Sequence, residues 1–141
     1  MHKILEPEVA GQLGAETVLE THVYPPHIKK LHFEFCGWLG DDIIESFPCY
    51  LVTERLKEEI EKIHLTGVIL EDLKVTTSDN FKSLYPVAAL PKFYWAKVIG
   101  GYTGDDFCLG TDYRFVVSEA ANVLLRRFNI QHAVVEDWLE N

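Results

Sequence analysis

Apolar residues fall along this chain in short runs of two different periods. In Leu31-His32-Phe33-Glu34-Phe35 they alternate with polar ones, which predicts a half-buried strand carrying His32 and Glu34 on its other face. Thr17–Tyr24 reads as an earlier strand that Pro25-Pro26 ends. Two further runs, Cys-Tyr-Leu-Val ending at Val52 and Arg-Phe-Val-Val ending at Val117, are short strands rich in aromatic and β-branched residues. A hydroxyl residue follows each, Thr53 or Ser118, and then a glutamate, which is how a helix starts: an N-cap oxygen with an acid near the positive end of the dipole. The period then becomes helical. Leu56, Ile60 and Ile63 form one stripe, with Glu58 and Lys62 paired four apart outside; Val123, Leu124, Leu125 and Phe128 make the second helix more apolar and more buried. Thr66-Gly67 and Asn129 stop the two helices, and the strands Val68–Leu70 and Ala133–Val135 follow. Between them, Asp79 caps a short helix to Leu84 that Pro86 stops, and Phe93–Ile99 is the counterpart of Leu31–Phe35.

A second level of order lies over these elements. Gly37-Trp38-Leu39-Gly40-Asp41-Asp42-Ile43 returns as Gly101-Tyr102-Thr103-Gly104-Asp105-Asp106-Phe107, and the strand, cap and helix positions return with it. The expectation is an α+β fold in a single domain, residues 1–141, built from two tandem loop–strand–helix–strand repeats, about 37–72 and 101–137, sharing one sheet and one core. A lone copy is too small to bury its own apolar face. At each Gly-Asp-Asp corner the glycine permits the turn. Because neighbouring strand residues point to opposite faces, one aspartate of each pair is expected to bond backbone N–H groups while the other faces solvent.

Composition narrows the function. With 141 residues, 48% of them hydrophobic, the chain has enough apolar surface for a core without staples. A net charge of −9 disfavours a grip on nucleic acid or on an anionic membrane surface and suits a basic partner. Three cysteines, Cys36, Cys49 and Cys108, without a paired spacing, fit a reducing cytosol. No run approaches the roughly 20 apolar residues of a membrane span, and the N-terminus lacks the form of a signal peptide, so the expectation is a cytoplasmic protein.

The candidate chemistry centres on the repeated loops. Two aspartates from each copy, Asp41, Asp42, Asp105 and Asp106, would suit Mg²⁺ or Ca²⁺ if they converged across a pseudo-twofold axis, the basis of an alternative reading as a small metal-dependent hydrolase. The same three letters occur in the metal-binding turn of viral RNA polymerases, but this chain is too short and too acidic for a template channel. Gly100-Gly101 with Gly104 resembles a phosphate loop, except that it runs into two acids. His22, His27, His32 and Glu34 are close enough in sequence for a metal site, although solvated histidines are the simpler reading; His64 and His132 close the helices. A cysteine nucleophile would need a spatial histidine. Trp38 and Tyr102 occupy one repeat position, each either plugging a sheet end or anchoring a basic protein surface.

The stretches SFPCYLVTERLKEEIEKIHLTGVILEDLKV and GDDFCLGTDYRFVVSEAANVLLRRFNIQHAVVEDW resemble the strand, Val-Ser/Thr-Glu, helix, strand phrase of small bacterial immunity-type proteins associated with polymorphic-toxin loci. The resemblance runs from Phe33 to Trp138 and leaves the N-terminal segment unassigned. It implies a stoichiometric binder, with no catalytic residues, no metal and no cofactor. The expected function is therefore a non-catalytic protein-binding module that offers an acidic surface to a basic, toxin-like partner. Trp38, Asp41, Asp42, Tyr102, Asp105 and Asp106 are the candidate contacts.

Overall fold

A computed structural model describes residues 2–85, 90–101 and 104–139. The chain runs β1 (Lys3–Glu6), β2 (Gly11–Leu13), β3 (Val18–Glu20), β4 (His27–Lys30), β5 (His32–Phe35), β6 (Ile43–Ser46), β7 (Cys49–Thr53) and α1 (Glu54–Lys62). It continues through β8 (Val68–Glu71), β9 (Lys74–Thr77), α2 (Asp79–Leu84), β10 (Phe93–Val98), β11 (Phe107–Leu109), β12 (Phe115–Val117), α3 (Glu119–Leu125) and β13 (Val134–Asp137). The mixture is α+β. None of the described helices is long and apolar enough to cross a membrane.

The expected single sheet is replaced by separate sheets. One has the order β6-β7-β10-β8 and another the order β11-β12-β1-β13; β2-β5-β9 and the hairpin β3-β4 make two smaller ones. In both larger sheets a hairpin is followed by a helix. The strand after that helix then joins the sheet across an antiparallel intermediary, β10 in one and β1 in the other. β10 therefore corresponds in position to β1, not to β5 as the sequence pattern suggested. β5 instead pairs with β9 in parallel and covers another face. A strand's partners are set by what closes its open edge, and an N-terminal strand fills that edge as well as a local one does.

Alternation in β7 shows why both of its faces are buried. Tyr50 and Val52 join one apolar cluster with Leu56 and Ile60 of α1, Leu124 and Leu125 of α3, and Leu5, Phe107, Phe115 and Val117 of the other large sheet. Cys49 and Leu51 face the opposite way into a second cluster with Phe33 and Phe35 of β5, Phe81 of α2, and Phe93 and Trp95 of β10. The first cluster draws side chains from both halves of the sequence, but the buried apolar residues divide between two clusters in place of the one core expected.

Several local expectations change. Ser118 caps α3 by accepting the Ala121 N–H at 3.1 Å, but the Thr53 hydroxyl, at the equivalent place before α1, turns away to Asp42. Ser78, not Asp79, caps α2. Ile63 lies at the C-cap of α1 and is exposed, as is Val123 on the outer face of α3. The i,i+4 ion pair seen on α1 is Lys57–Glu61, at 2.7 Å. His32 is buried, bonded to the Glu16 amide and the Thr76 hydroxyl, which removes it from any metal site on the strand surface. Gly67, at φ +99°, is a glycine that the fold requires: a Cβ there would stand 2.0 Å from the Phe107 carbonyl oxygen. The helix stop predicted at Pro86 lies outside the described residues.

Candidate functional site

The two Gly-Asp-Asp corners are joints between the halves. Asp42 accepts the Thr53 hydroxyl at 2.6 Å, the Arg55 Nε–H at 2.7 Å and the Asn129 amide at 2.8 Å. Thr53 and Arg55 begin the helix of its own half, whereas Asn129 follows the helix of the other. Asp106 does the same in reverse. It accepts the Ser118 hydroxyl at 2.6 Å and the amide of Thr66, just after the first helix, at 2.9 Å. Burial pushes the Asp42 carboxyl upward, but the Arg55, Thr53 and Asn129 hydrogen bonds and the guanidinium charge prevail and hold it below the ordinary range.

The expected division of each pair into one anchored and one solvent-facing aspartate is not found. Asp41 and Asp42 are 0% and 2% exposed, so neither offers a carboxylate to a partner. Asp41 accepts the His132 amide and the His132 ring, both at 2.9 Å. Asp105 and Asp106 are half-buried, and Asp105 accepts the Gly101 amide at 2.7 Å. Each aspartate was expected to serve one face of a strand; instead each precedes its strand, in irregular backbone whose N–H groups and neighbours lie on several sides. Trp38 is half-buried. Its ring stands edge-on to Phe93 with centroids 5.7 Å apart, and its indole N–H donates to the Asp41 carbonyl at 2.9 Å, so it plugs a sheet end. Tyr102 lies outside the described residues.

Convergence of the two pairs on one cation, the basis of the hydrolase reading, is not what the fold produces. Asp42 is saturated by donors of its own, and the trio of metal-type side chains that meets among the described residues is Glu8, Asp41 and His132. Glu8 reaches this place because its segment bridges β6 in parallel at Ile44. Its carboxylate accepts the Leu39 amide at 2.7 Å and the Asp41 amide at 3.2 Å.

A different place gathers exposed aromatic rings. The hairpin β6–β7 turns at Phe47-Pro48, and the hairpin β11–β12 turns through a loop containing Tyr113, which sits at φ +65°. These two tips flank a cleft of about 300 Å³ against β1. Tyr24 lies between them, its ring 5.0 Å from that of Tyr113 and 6.3 Å from that of Phe47. Tyr24, Phe47 and Tyr113 are 67%, 41% and 40% exposed, although such rings usually bury most of their surface. Below them Tyr50 and Phe115 stack 4.2 Å apart.

Charge in the cleft is unbalanced. Glu6 and Glu45 line it, together with Asp112 and Arg114. Arg114 is held by Asp112 through its Nε–H at 2.6 Å, which leaves the two glutamates without compensation from the lining. Burial pushes the Glu45 carboxyl up; a bond with Tyr50 opposes this and the charge of Glu6 adds to it. Nothing in the sequence pattern marked these residues as one site.

Comparison with protein-family models, with curated proteins and with solved structures gave no match.

Proposed function

We propose that this chain is a non-catalytic protein-binding module of the cytoplasm, an immunity-type inhibitor whose cleft between the two hairpin tips receives a basic side chain of a toxin-like partner. The observation that carries the reading is the pairing of three exposed aromatic rings with two uncompensated carboxylates in one cleft. A lysine or arginine entering there meets ring faces, worth about 0.5–2 kcal/mol each when favourably placed, and the charges of Glu6 and Glu45. The net charge of −9 steers such a partner inward. The contacts expected at the aspartate pairs thus move to Glu6, Glu45, Tyr24, Phe47 and Tyr113.

The repeat belongs to the same reading. Residues 37–72 and 101–137 are taken as copies of one unit, supported by the matching strand orders of the two large sheets and by the reciprocal bonding of Asp42 and Asp106. A duplicated unit brings two equivalent hairpin tips together, and the cleft lies between them.

Titration of the protein with an arginine- and lysine-rich peptide, followed by NMR, tests this. Shifts concentrated at Tyr24, Phe47, Tyr113 and Glu45, weakened by salt and missing with a glutamate-rich peptide, are expected. Glu6→Gln and Glu45→Gln should each lower affinity by about tenfold. A folded-state pKa raised by burial means that ionised Glu45 costs stability at neutral pH, so Glu45→Gln should hold or raise the melting temperature while it weakens binding. Shifts dispersed over the surface, or affinity indifferent to both substitutions, would remove the cleft from the function.

A further inference from the structure

We infer that Glu8, Asp41 and His132 form a binding site for a divalent transition-metal cation of the Zn²⁺ type, which fastens the N-terminal segment, the first Gly-Asp-Asp loop and the segment after α3 to one another. One ligand atom from each residue lies within 4.8 Å of the other two. Tetrahedral zinc with nitrogen and oxygen ligands needs such atoms about 3.4 Å apart, so closure takes only small side-chain movements. The His132 Nδ1 and an Asp41 oxygen already stand 2.9 Å apart.

The donor set is mixed, an imidazole with two carboxylates, which suits zinc, cobalt or manganese more than magnesium or calcium, whose sites are built from oxygen alone. The carboxylates are also pre-oriented. Leu39 and Asp41 amides donate to the two oxygens of Glu8, and the His132 amide donates to the second oxygen of Asp41, which fixes both carboxylates beside each other. Both acids are almost wholly buried, and the ion pair found for them among the described residues is with the His132 imidazole, which is charged only when protonated. A divalent cation balances the pair. His132, with a side chain 38% exposed, gives the ion a route from solvent and leaves a coordination position for water.

The three residues stand at positions 8, 41 and 132, and they are distinct from the cleft, so the site is a clasp across the fold. The cleft's binding of basic peptide does not depend on it.

Calorimetry of the chelator-treated full chain with Zn²⁺, Co²⁺, Mg²⁺ and Ca²⁺ tests the inference, with ring ¹⁵N spectra of the intact protein recorded during the zinc titration. Zinc and cobalt should bind one ion per chain with a Kd on the order of micromolar or tighter. They should also raise the melting temperature, and cobalt should show the visible absorption of a four-coordinate ion. The His132 ring should shift on zinc addition. His132→Ala should weaken binding at least ~tenfold, and a His22→Ala, His27→Ala double variant should not. Absence of saturable one-to-one binding, an unmoved His132 ring, or zinc affinity lost with His22 and His27 instead would overturn it. The ring spectra decide the matter in the native chain even where a substituted protein folds poorly.

Discussion

Asp42 and Asn129 exchange hydrogen bonds in both directions. The Asp42 amide donates to the Asn129 carbonyl at 2.7 Å, and the Asn129 amide donates to the Asp42 carboxylate at 2.8 Å. The residues stand 87 positions apart, one just before β6 and the other after α3. This double contact, with its counterpart between Asp106 and Thr66, ties each half's Gly-Asp-Asp corner to the end of the other half's helix.

Asp42→Ala should therefore be among the most damaging substitutions in the chain. It leaves the Thr53 hydroxyl, the Arg55 guanidinium and the Asn129 amide without their acceptor, a loss of about 2–4 kcal/mol in urea unfolding. Asp106→Ala leaves the Ser118 hydroxyl and the Thr66 amide without their acceptor at a half-buried place and should cost about 1–2 kcal/mol. Equal small losses at both positions would show that the joints carry little of the stability.

Acid should loosen the same joint. The hydrogen bonds and charge around Asp42 outweigh its burial and hold its carboxyl below the ordinary carboxylate range, so its ionised form contributes stability above the unfolded-state value. That contribution is complete above about pH 5 and disappears as pH falls through the ordinary carboxylate range and then through the lower folded value. Asp42→Asn should lower the urea midpoint at neutral pH and flatten its decline into acid. Parallel pH profiles for the two proteins would contradict this assignment.

Thiol labelling should divide the three cysteines. Burial pushes the Cys49 thiol up to about 12, and burial followed by the Asp105 charge raises that of Cys108. Cys36 is half-buried. In native protein a thiol reagent should modify Cys36 first, with Cys49 and Cys108 reacting only after urea is added. Mass spectrometry of the labelled peptides reads the order directly; early reaction at Cys49 would mean that the cluster around Phe33 and Trp95 opens readily.

The local vocabulary of the fold is legible in the sequence because local physics writes it. The alternating run Leu31–Phe35 became β5, the contiguous apolar run ending at Val52 became β7, and the stretches of helical period after Thr53 and Ser118 became α1 and α3. The repeated corner was visible as a repeated word, and one aspartate's role as an anchor followed from its neighbours. Pairing was decided elsewhere. Which strand fills the middle of a sheet depends on edges brought together from distant segments, and so β1 lies between β12 and β13 while β10 lies between β7 and β8. Burial of Asp41 and Asp42 depends likewise on donors from His132, Arg55 and Asn129, and a solvent-facing carboxylate cannot be told from a saturated one by spacing alone. The cleft needs Tyr24, Phe47 and Tyr113 from three separate turns, and the clasp needs Glu8 with His132. Those meetings are properties of packing. The sequence determined the strands and helices around the two Gly-Asp-Asp stretches, and tertiary structure alone chose which carboxylates and rings remained accessible, because accessibility is set by what the rest of the chain covers.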